Sequence, residues 1–336
     1  MVDATHVSYR ADDRSFFSIL KKEIHSKVSE AGFSKKRIGE VDIIVSELTS
    51  NLAKYAVGGE LLFGHTKTED HEYVEIITLD NGPGMADVGR MLADGVSTTN
   101  TLGHGLGSIR RLSDKFDIYS QKGWGTVVLS RVYKTPPPQR KKNKYEFKPL
   151  VIAKPGETVS GDGTYCKVTD DYLKLLVCDG LGHGIEANKA VNEAVNAFKS
   201  CPFNDPVEII KYLHTSIRKT RGIVGTVILY NFVKKCWTIC GVGNISAKLI
   251  NVFNIKNYMS YNGIIGHNIA NSMKAQEYSI NDFQQIILCS DGLKSRWDTS
   301  RFPQINKYDM SLMAAALYQD FARRTDDMSV VICKIQ

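Results

Sequence analysis

Apolar residues recur at helical spacing between Ile38 and Ala56, which predicts an amphipathic α-helix. The stripe consists of Val41, Ile44, Val45, Leu48, Leu52 and Tyr55. Two polar residues of the same stretch, Glu47 and Asn51, are four positions apart and therefore project side by side. A carboxylate beside a carboxamide suits a general base and a Mg²⁺ ligand, although most such pairs are only solvated surface residues.

A β-type run, YVEIITLD, follows this helix and ends at Asp80. The next residues, NGPGM, place Gly82 and Gly84 on either side of a proline and predict a tight turn. Further along, three glycines directly precede a second helical pattern: Gly103, Gly105 and Gly107. Free N–H groups at such a turn and helix start would hold phosphates. The GxGxG spacing is neither the dinucleotide fingerprint nor a Walker loop.

Apolar, β-type runs in the second half of the chain have aspartates at their ends. These are Asp162 in GDGTYCKV, Asp179 in LLVCDGLGHG, Asp291 in ILCSDGL, and the adjacent Asp326 and Asp327 before MSVVIC. Each Asp-Gly alone is a common turn signal. Together they favour a divalent-cation site, because such ions take several carboxylate oxygens and uncompensated carboxylates repel one another. Two metals about 3.5–4 Å apart would activate water for phosphate hydrolysis.

The length of 336 residues, with 43% hydrophobic and 24% charged residues, allows two globular domains. Residues 135–146 contain three consecutive prolines followed by basic residues, and predict a solvated linker between domains 1–134 and 147–336. Such a spacer would act as a tether, so the two domains are expected to work independently when separated. The net charge of +7 does not indicate nucleic-acid binding, since no aromatic residues alternate with the basic cluster.

All seven cysteines lie in the second half, in odd number and without a CxxC pair. This pattern predicts reduced thiols and neither a disulfide framework nor a zinc site. No apolar run is long enough to span a membrane, and the first residues do not resemble a signal peptide. The expected location is the cytoplasm, with no membrane partner.

The first half resembles the GHKL ATPase superfamily, and is most similar to the RsbT-type serine/threonine kinases of bacterial partner-switching systems. The resemblance spans most of residues 5–133, through SELTSNLAKYA, LDNGPGM, LGHGLGSIRRLSDKFDIYS and GTVV. It implies ATP and Mg²⁺ as cofactors, Glu47 as general base and Asn51 as Mg²⁺ ligand. It also implies that Asp80 accepts a hydrogen bond from the adenine amino group and that Thr126 makes a second adenine contact. The glycines that match the nucleotide-enclosing turns are Gly82, Gly84, Gly103, Gly105 and Gly107.

The second half resembles the PPM-type metal-dependent phosphatases in their SpoIIE-like branch, and is most similar to the RsbX type. The resemblance covers roughly residues 150–336, through GDGTYCKV, VCDGLGHGIEANKAV, RGIVGTVILY, CGVGNI, SDGL and DDMSVVI. The implied ligands of two Mn²⁺ or Mg²⁺ ions are Asp162, Asp179, the backbone carbonyl of Gly180, Asp291 and Asp326. The resemblance favours Asp326 over Asp327, and leaves His183 either behind the ligands or as a plain loop residue.

Both resemblances together imply an α+β protein of two domains. A GHKL (Bergerat) α/β sandwich with a mixed sheet covered by helices would precede a PPM-type α-β-β-α sandwich. The implied function is that of a switch that phosphorylates and dephosphorylates serine or threonine on STAS-domain (RsbS/RsbR-like) proteins of a stressosome or sigma-factor pathway. A further regulatory protein would bind the kinase domain.

Two other functions remain open on the sequence. In the first, the N-terminal domain is a nucleotide-gated module that only binds a partner, and the phosphatase is the sole enzyme. The intact Glu47 argues against it, because a binding module needs no general base. In the second, the protein regulates DNA; this rests only on the basic linker and would require strong, salt-dependent DNA affinity.

Overall fold

The computed structural model describes residues 5–11, 14–68, 71–92, 105–136, 144–251 and 254–336. The chain divides into two compact units, and each unit is built from segments that are not contiguous in the sequence. The unit called N-terminal here comprises Thr5–Lys141 and Thr299–Gln319. The C-terminal unit comprises Lys142–Asp298 and Asp320–Gln336. The boundaries predicted from sequence stay a prediction, and they do not anticipate that the segment 299–319 belongs with the first unit.

One antiparallel sheet with helices forms the N-terminal unit. Its elements up to residue 133 are β1 (His6–Arg10), α1 (Phe17–Glu30), α2 (Lys35–Tyr55), β2 (Glu60–Lys67), β3 (Glu72–Asp80), α3 (Val88–Met91), α4 (Gly105–Leu112), β4 (Lys115–Gln121) and β5 (Gly125–Tyr133). The strand order is β1-β2-β3-β5-β4. All four strand pairs of this sheet are antiparallel, so the expectation of a mixed sheet is wrong. The reason is connectivity, because β2–β3 and β4–β5 are hairpins and β5 runs back along β3.

Helix α2 confirms the amphipathic stripe predicted from the sequence except at its C-terminal end, where Tyr55 is 41% exposed. Ser34 caps its first turn by accepting a hydrogen bond from the Arg37 backbone N–H at 3.3 Å. The stripe residues Val41, Ile44, Val45, Leu48 and Leu52 are buried. Most of the stripe packs on one face of the sheet, and the strand residues of that cluster are Leu61, Phe63, Val74, Ile76, Ile118, Val128 and Val132. The polar positions of α2 are thereby left on its more open side.

The elements after residue 144 form two further sheets and three helices within the described ranges. They are β6 (Tyr145–Ile152), β7 (Asp162–Val168), β8 (Tyr172–Gly180), α5 (Ile185–Ser200), α6 (Pro206–Ser216), β9 (Ile223–Asn231), β10 (Cys236–Val242), β11 (Ser246–Ile250), β12 (Ile255–Tyr258), β13 (Gln276–Ser279), β14 (Gln285–Cys289), α7 (Met310–Phe321) and β15 (Met328–Ile335). The sheet orders are β13-β10-β9-β8-β7 and β12-β11-β14-β15-β6.

The two sheets of the C-terminal unit share one apolar core. That core joins β8 residues such as Leu175 and Val177 to β14 and β15 residues such as Leu288 and Val331. Helices α5 and α6 pack on the other side of the β13-β10-β9-β8-β7 sheet, where Val191 is part of a second core. This α-β-β layering confirms the predicted PPM-type architecture. The seven cysteines carry no disulfide. No helix in the described ranges is long and apolar enough to cross a membrane.

The second face of the N-terminal sheet is also buried. Directly paired residues of neighbouring strands point to the same side, so Leu62, Ile77 and Leu129 lie together on the face opposite α2. All three are at most 1% exposed. The same register places Glu75 and Arg131 on this face. A sheet covered on one side only would leave these residues in water.

Residues 299–319 contact this second face through a buried ionic cluster. The Arg131 guanidinium donates to both carboxylate oxygens of Asp309 at 2.8 Å and to Ser311 Oγ at 2.7 Å. Arg131 also pairs with Glu75, and Lys115 pairs with Asp309. Because a buried guanidinium requires charged partners, Asp309 is an integral part of the N-terminal unit.

Helix α7 makes two more contacts within the same unit. The Tyr318 hydroxyl donates to Glu60 Oε1 at 2.5 Å. Gln319 Nε2 donates to the backbone oxygen of Asp80 at 2.8 Å and to Asn81 Oδ1 at 2.9 Å. The end of β3, where the sequence predicts adenine binding, is therefore held by a residue from the second half of the chain.

Candidate functional site

Glu47 and Asn51 form the first candidate site together with the start of α4. Both side chains are half-buried on α2. A Cβ built on Gly105 would lie 3.3 Å from Glu47 Oε2 and 3.4 Å from Asn51 Oδ1. The lack of a side chain at Gly105 thus lets the α4 backbone approach both polar groups. The predicted base, the predicted Mg²⁺ ligand and the start of α4 therefore lie together, which is a suitable arrangement for a nucleotide phosphate.

Asp80 forms the second part of this site at the end of β3. Its Oδ1 accepts a hydrogen bond from the Gly82 backbone N–H at 2.7 Å, and it is the register partner of Thr126 on β5. Burial raises the pKa of Asp80, while the backbone N–H groups of Gly82 and Thr126 oppose that shift. Gly84 has φ +68°, and a Cβ there would lie 2.0 Å from the Gln121 carbonyl oxygen, so the turn requires glycine.

Of the remaining residues predicted to bind the nucleotide, the structure describes some, and others lie outside the described ranges. Gly107 is buried within α4. Gly103 and its neighbour His104 lie outside the described residues. The Thr126 side chain is buried and shares a hydrogen bond of 2.8 Å with Ser120 Oγ. The nucleotide roles of all these residues stay predictions.

The second candidate site begins with Asp162 and Asp179, which are direct partners across β7 and β8. Asp162 is 1% exposed, and its Oδ2 accepts a hydrogen bond from Ser290 Oγ at 2.5 Å. Its Oδ1 is buried and accepts no hydrogen bond from any described group. A buried carboxylate oxygen without a donor is costly unless a cation neutralises it.

The electrostatics of this pair also favour the binding of a cation. Burial is the main cause that raises the pKa of Asp179, followed by the nearby carboxylates of Asp162, Asp291, Asp326 and Asp327. Burial likewise raises the pKa of Asp162, partly offset by the Ser290 hydrogen bond. The described side chains include no group of three His, Cys, Asp or Glu already close enough to bind one ion. The metal-ligand roles of these aspartates therefore stay predictions.

Asp326 and Asp327 differ in the bonds they make. Both carboxylate oxygens of Asp327 accept backbone hydrogen bonds at 2.8 Å, one from Lys154 N–H and one from Gly161 N–H. Asp326 accepts one, from the Asp327 N–H at 3.0 Å. Asp327 therefore ties the start of β15 to the loop before β7, and Asp326 retains more capacity to bind a cation. This geometry supports the preference for Asp326 that the sequence resemblance gives.

Sequence reasoning missed the residues that orient these carboxylates. Ser290 also accepts the Ser329 N–H at 2.9 Å while it donates to Asp162. Asn244 Nδ2 donates to Asp291 Oδ2 at 2.9 Å. The only sequence signal for Ser290 is its position before Asp291. His183 is placed in the loop before α5, where its Nδ1 pairs with Glu157 Oε1 at 2.8 Å.

The residues of the second site fit a divalent metal. The orphaned oxygen of Asp162 and the mutually repelling carboxylates provide hard oxygen donors and unbalanced negative charge, which Mg²⁺ and Mn²⁺ favour. Gly180 stands at the end of β8, where a Cβ would lie 2.6 Å from the Ala187 carbonyl oxygen. Its position directly after Asp179 is consistent with the predicted carbonyl ligand.

Comparison with known proteins finds a family match in each half of the chain. Residues 169–336, half of the chain, match the family model described as stage II sporulation protein E (SpoIIE). The chain belongs to the SpoIIE family. Ahead of this SpoIIE domain, residues 19–131 match the family model described as histidine kinase-like ATPase domain. The chain is thus a fusion of two domains that carry phosphate chemistry.

Individual relatives of this SpoIIE-family protein show the same division. It is 33% identical over 99 residues to the serine/threonine-protein kinase RsbT of Bacillus subtilis (strain 168), covering 30% of this chain and 74% of that protein. It is 29% identical over 94 residues to the phosphoserine phosphatase RsbX of the same organism, covering 28% of this chain and 47% of that protein. The chain therefore spans about half the length of that phosphatase.

One solved structure is similar over the full length of the solved chain. It is described as "The bacterial stressosome: a modular system that has been adapted to control secondary messenger signaling". The TM-score is 0.53 at 25% identity, and the match covers 57% of this chain and 100% of that one. At family level, the chain joins a histidine kinase-like ATPase domain, similar to a serine/threonine kinase, to a SpoIIE-type phosphatase domain. Domains of these families generally use a nucleotide and a divalent metal, respectively.

Proposed function

We propose that the chain both phosphorylates and dephosphorylates serine or threonine residues of STAS-domain proteins in a bacterial partner-switching pathway. The observation that supports this proposal is that the predicted reactive groups of each unit lie close together. Glu47 and Asn51 converge on Gly105 in one unit, and Asp162 faces Asp179 in the other. Buried or half-buried polar groups that converge in this way are typical of functional sites.

In the kinase unit, Asp80 and Thr126 would bind the adenine and Glu47 would accept the proton of the substrate hydroxyl. Asn51 would help hold Mg²⁺, and the N–H groups at the start of α4 would face the phosphates. Two hydrogen bonds hold Asp80: its carboxylate accepts the Gly82 N–H, and its backbone oxygen accepts a bond from the Gln319 side chain. They orient the carboxylate before the nucleotide binds.

In the phosphatase unit, Asp162, Asp179, Asp291 and Asp326, with the Gly180 carbonyl, would hold two Mg²⁺ or Mn²⁺ ions. When bound, these ions supply an activated water and neutralise the departing phosphate oxygens. The chain itself contributes orientation. Ser290 fixes one oxygen of Asp162 and Asn244 fixes one oxygen of Asp291, so each carboxylate presents its other oxygen in a defined direction.

The substrate assignment rests on the relatives. RsbT is a serine/threonine kinase, RsbX is a phosphoserine phosphatase, and one similar structure is described as a stressosome system. The experiment incubates the full chain with ATP, Mg²⁺ or Mn²⁺ and STAS proteins encoded beside its gene, and follows phosphate on each protein by mass spectrometry. Phosphate gain with ATP and phosphate loss with metal alone support the proposal. If only loss occurs, the N-terminal unit is a partner-binding module; if neither occurs, the proposal fails.

Replacement of Asp80 by asparagine is expected to abolish nucleotide binding, because the amide has one acceptor oxygen where the carboxylate has two. Titration calorimetry with ADP on the full chain measures this. Asp87→Asn is the matched control, since Asp87 is exposed and only caps α3. Nucleotide affinity equal to wild type in Asp80→Asn would refute the adenine assignment.

Replacement of Asn244 by alanine is expected to weaken Mn²⁺ binding about 10-fold, the usual effect of losing a group that orients a metal ligand. Asn244 is exposed, so the substitution leaves the core intact. Asn281→Ala, at another exposed asparagine of the same unit, is the control. Calorimetric Mn²⁺ titrations that give the same affinity for both variants would show that Asp291 needs no such support.

A further inference from the structure

A cavity of about 230 Å³ lies in the C-terminal unit. It is lined by Glu186, Lys189, Lys219, Thr220 and Arg221, and is called the basic cavity below. The three cationic side chains are exposed, and none of them forms an ion pair or hydrogen bond with a side chain of the described residues. With one carboxylate against three cations, the cavity has an unbalanced positive charge.

The loop that carries Arg221 is held by its own backbone and side-chain contacts. Thr220 Oγ1 donates to the Ile217 carbonyl at 2.8 Å and accepts the Gly222 N–H at 3.1 Å. His267 Nε2 donates to the Arg221 carbonyl at 2.8 Å. These bonds fix the backbone position of Arg221, so the loop that lines the cavity has a defined conformation.

The Arg221 guanidinium lies against the loop that follows Asp179. A Cβ built on Gly182 would be 3.1 Å from Arg221 Nη1, and the Leu181 N–H donates to the Gly222 carbonyl at 3.2 Å. Gly182 is three residues after Asp179. Arg221 therefore borders the loop that directly follows the predicted ligands Asp179 and Gly180.

A phosphoprotein substrate brings negative charge to this position. Arginine is suited to receive it, because the planar guanidinium offers several N–H donors to phosphate or carboxylate oxygens. Lys189 and Lys219 add positive charge that attracts an anion without imposing a geometry. Because no described side chain pairs with these three cations, their charge is available to a bound anion.

We propose that the basic cavity is a substrate subsite that binds an anionic group of the phosphoprotein through Arg221, Lys189 and Lys219. The inference rests on the proposed phosphatase function. The shared chemistry is an oxyanion, which comes either from the phosphoserine itself or from an acidic side chain beside it. The subsite makes the enzyme select its protein substrate by charge as well as by phosphate.

The test compares the full-length wild type with Arg221→Ala and with the matched control Arg218→Ala, an exposed arginine three residues away that does not line the cavity. Two phosphoserine peptides are used, one flanked by aspartates and one by alanines. Peptide binding is followed by fluorescence anisotropy in excess chelator, and the KM for dephosphorylation is measured with Mn²⁺. Arg221→Ala is expected to weaken binding and raise KM about 10-fold, as for loss of a hydrogen bond to a charged group. Arg218→Ala is expected to stay within about twofold, as for an exposed charge.

The two peptides identify the anion. Equal losses for both place the phosphate in the basic cavity, and a loss confined to the aspartate-flanked peptide places the acidic side chain there. If the wild type binds peptide but hydrolyses none, the proposed function fails while the binding comparison still tests the subsite. The inference is overturned if Arg221→Ala behaves like wild type in both assays, or if Arg218→Ala loses as much as Arg221→Ala.

Discussion

Asp179→Asn is expected to abolish phosphatase activity and, in the absence of metal, to raise the unfolding temperature of the C-terminal unit. The activity should fall by more than about 100-fold, because loss of a group that only orients a ligand already costs about 10–100-fold. The stability of the metal-free protein, in contrast to its activity, is expected to increase. Burial and four neighbouring carboxylates raise the pKa of Asp179, so the folded protein disfavours its charged form.

The pH dependence of that stability gain follows from the direction of the pKa shift. A raised pKa in the folded state means that metal-free wild type loses stability as the pH rises above the unfolded pKa of about 3.9. An amide cannot ionise, so Asp179→Asn avoids this loss, and the gain should be larger at pH 8 than at pH 5. Scanning calorimetry in chelator measures it, with the exposed Asp171→Asn as control. A metal-free Asp179→Asn protein that is less stable than wild type at pH 8 would contradict the repulsion argument.

Asp309→Ala is expected to destabilise the N-terminal unit by about 3–5 kcal/mol, the usual effect of breaking a buried ion pair from one side. Arg131 is 2% exposed and would keep Glu75 but lose both hydrogen bonds to Asp309. Chemical denaturation followed by a signal from this unit measures the effect. Lys36→Ala is the control, because Lys36 is 85% exposed and its ion pair should contribute at most about 1 kcal/mol.

The comparison between these two variants can contradict the prediction. Equal stabilities of Asp309→Ala and Lys36→Ala would show that the contact between residues 299–319 and the sheet contributes little. A large difference would imply that fragment 1–134, which lacks Asp309, is unstable by itself. That result would contradict the expectation from sequence that separated domains remain active.

The parts of the site that were predictable are those encoded by neighbouring residues. Helical spacing places Glu47 and Asn51 on one side of α2, and the structure brings both to Gly105. The β-type runs place Asp179 at the end of β8 and Asp291 two residues after the end of β14, as the structure shows. These features follow from local periodicity and turn chemistry, which a sequence contains directly.

The contacts that were not predictable join residues far apart in the chain. Ser290 forms a hydrogen bond with Asp162, 128 positions away in the sequence, and Arg131 forms one with Asp309, 178 positions away. Serine and aspartate are common in loops, so neither residue carries a local signal of its partner. The strand directions of the first sheet were missed for a related reason, because apolar alternation gives the face of a strand and not the direction of its neighbour.

The membership of residues 299–319 in the N-terminal unit has a practical consequence for a nicked chain. A protease site introduced between residues 136 and 144 would cut the direct connection between the two halves of the sequence. The smaller piece would still be held by the larger one, through the Arg131–Asp309 pair and the Tyr318–Glu60 hydrogen bond. The two pieces should co-elute in gel filtration, and should reassemble when expressed as a split protein.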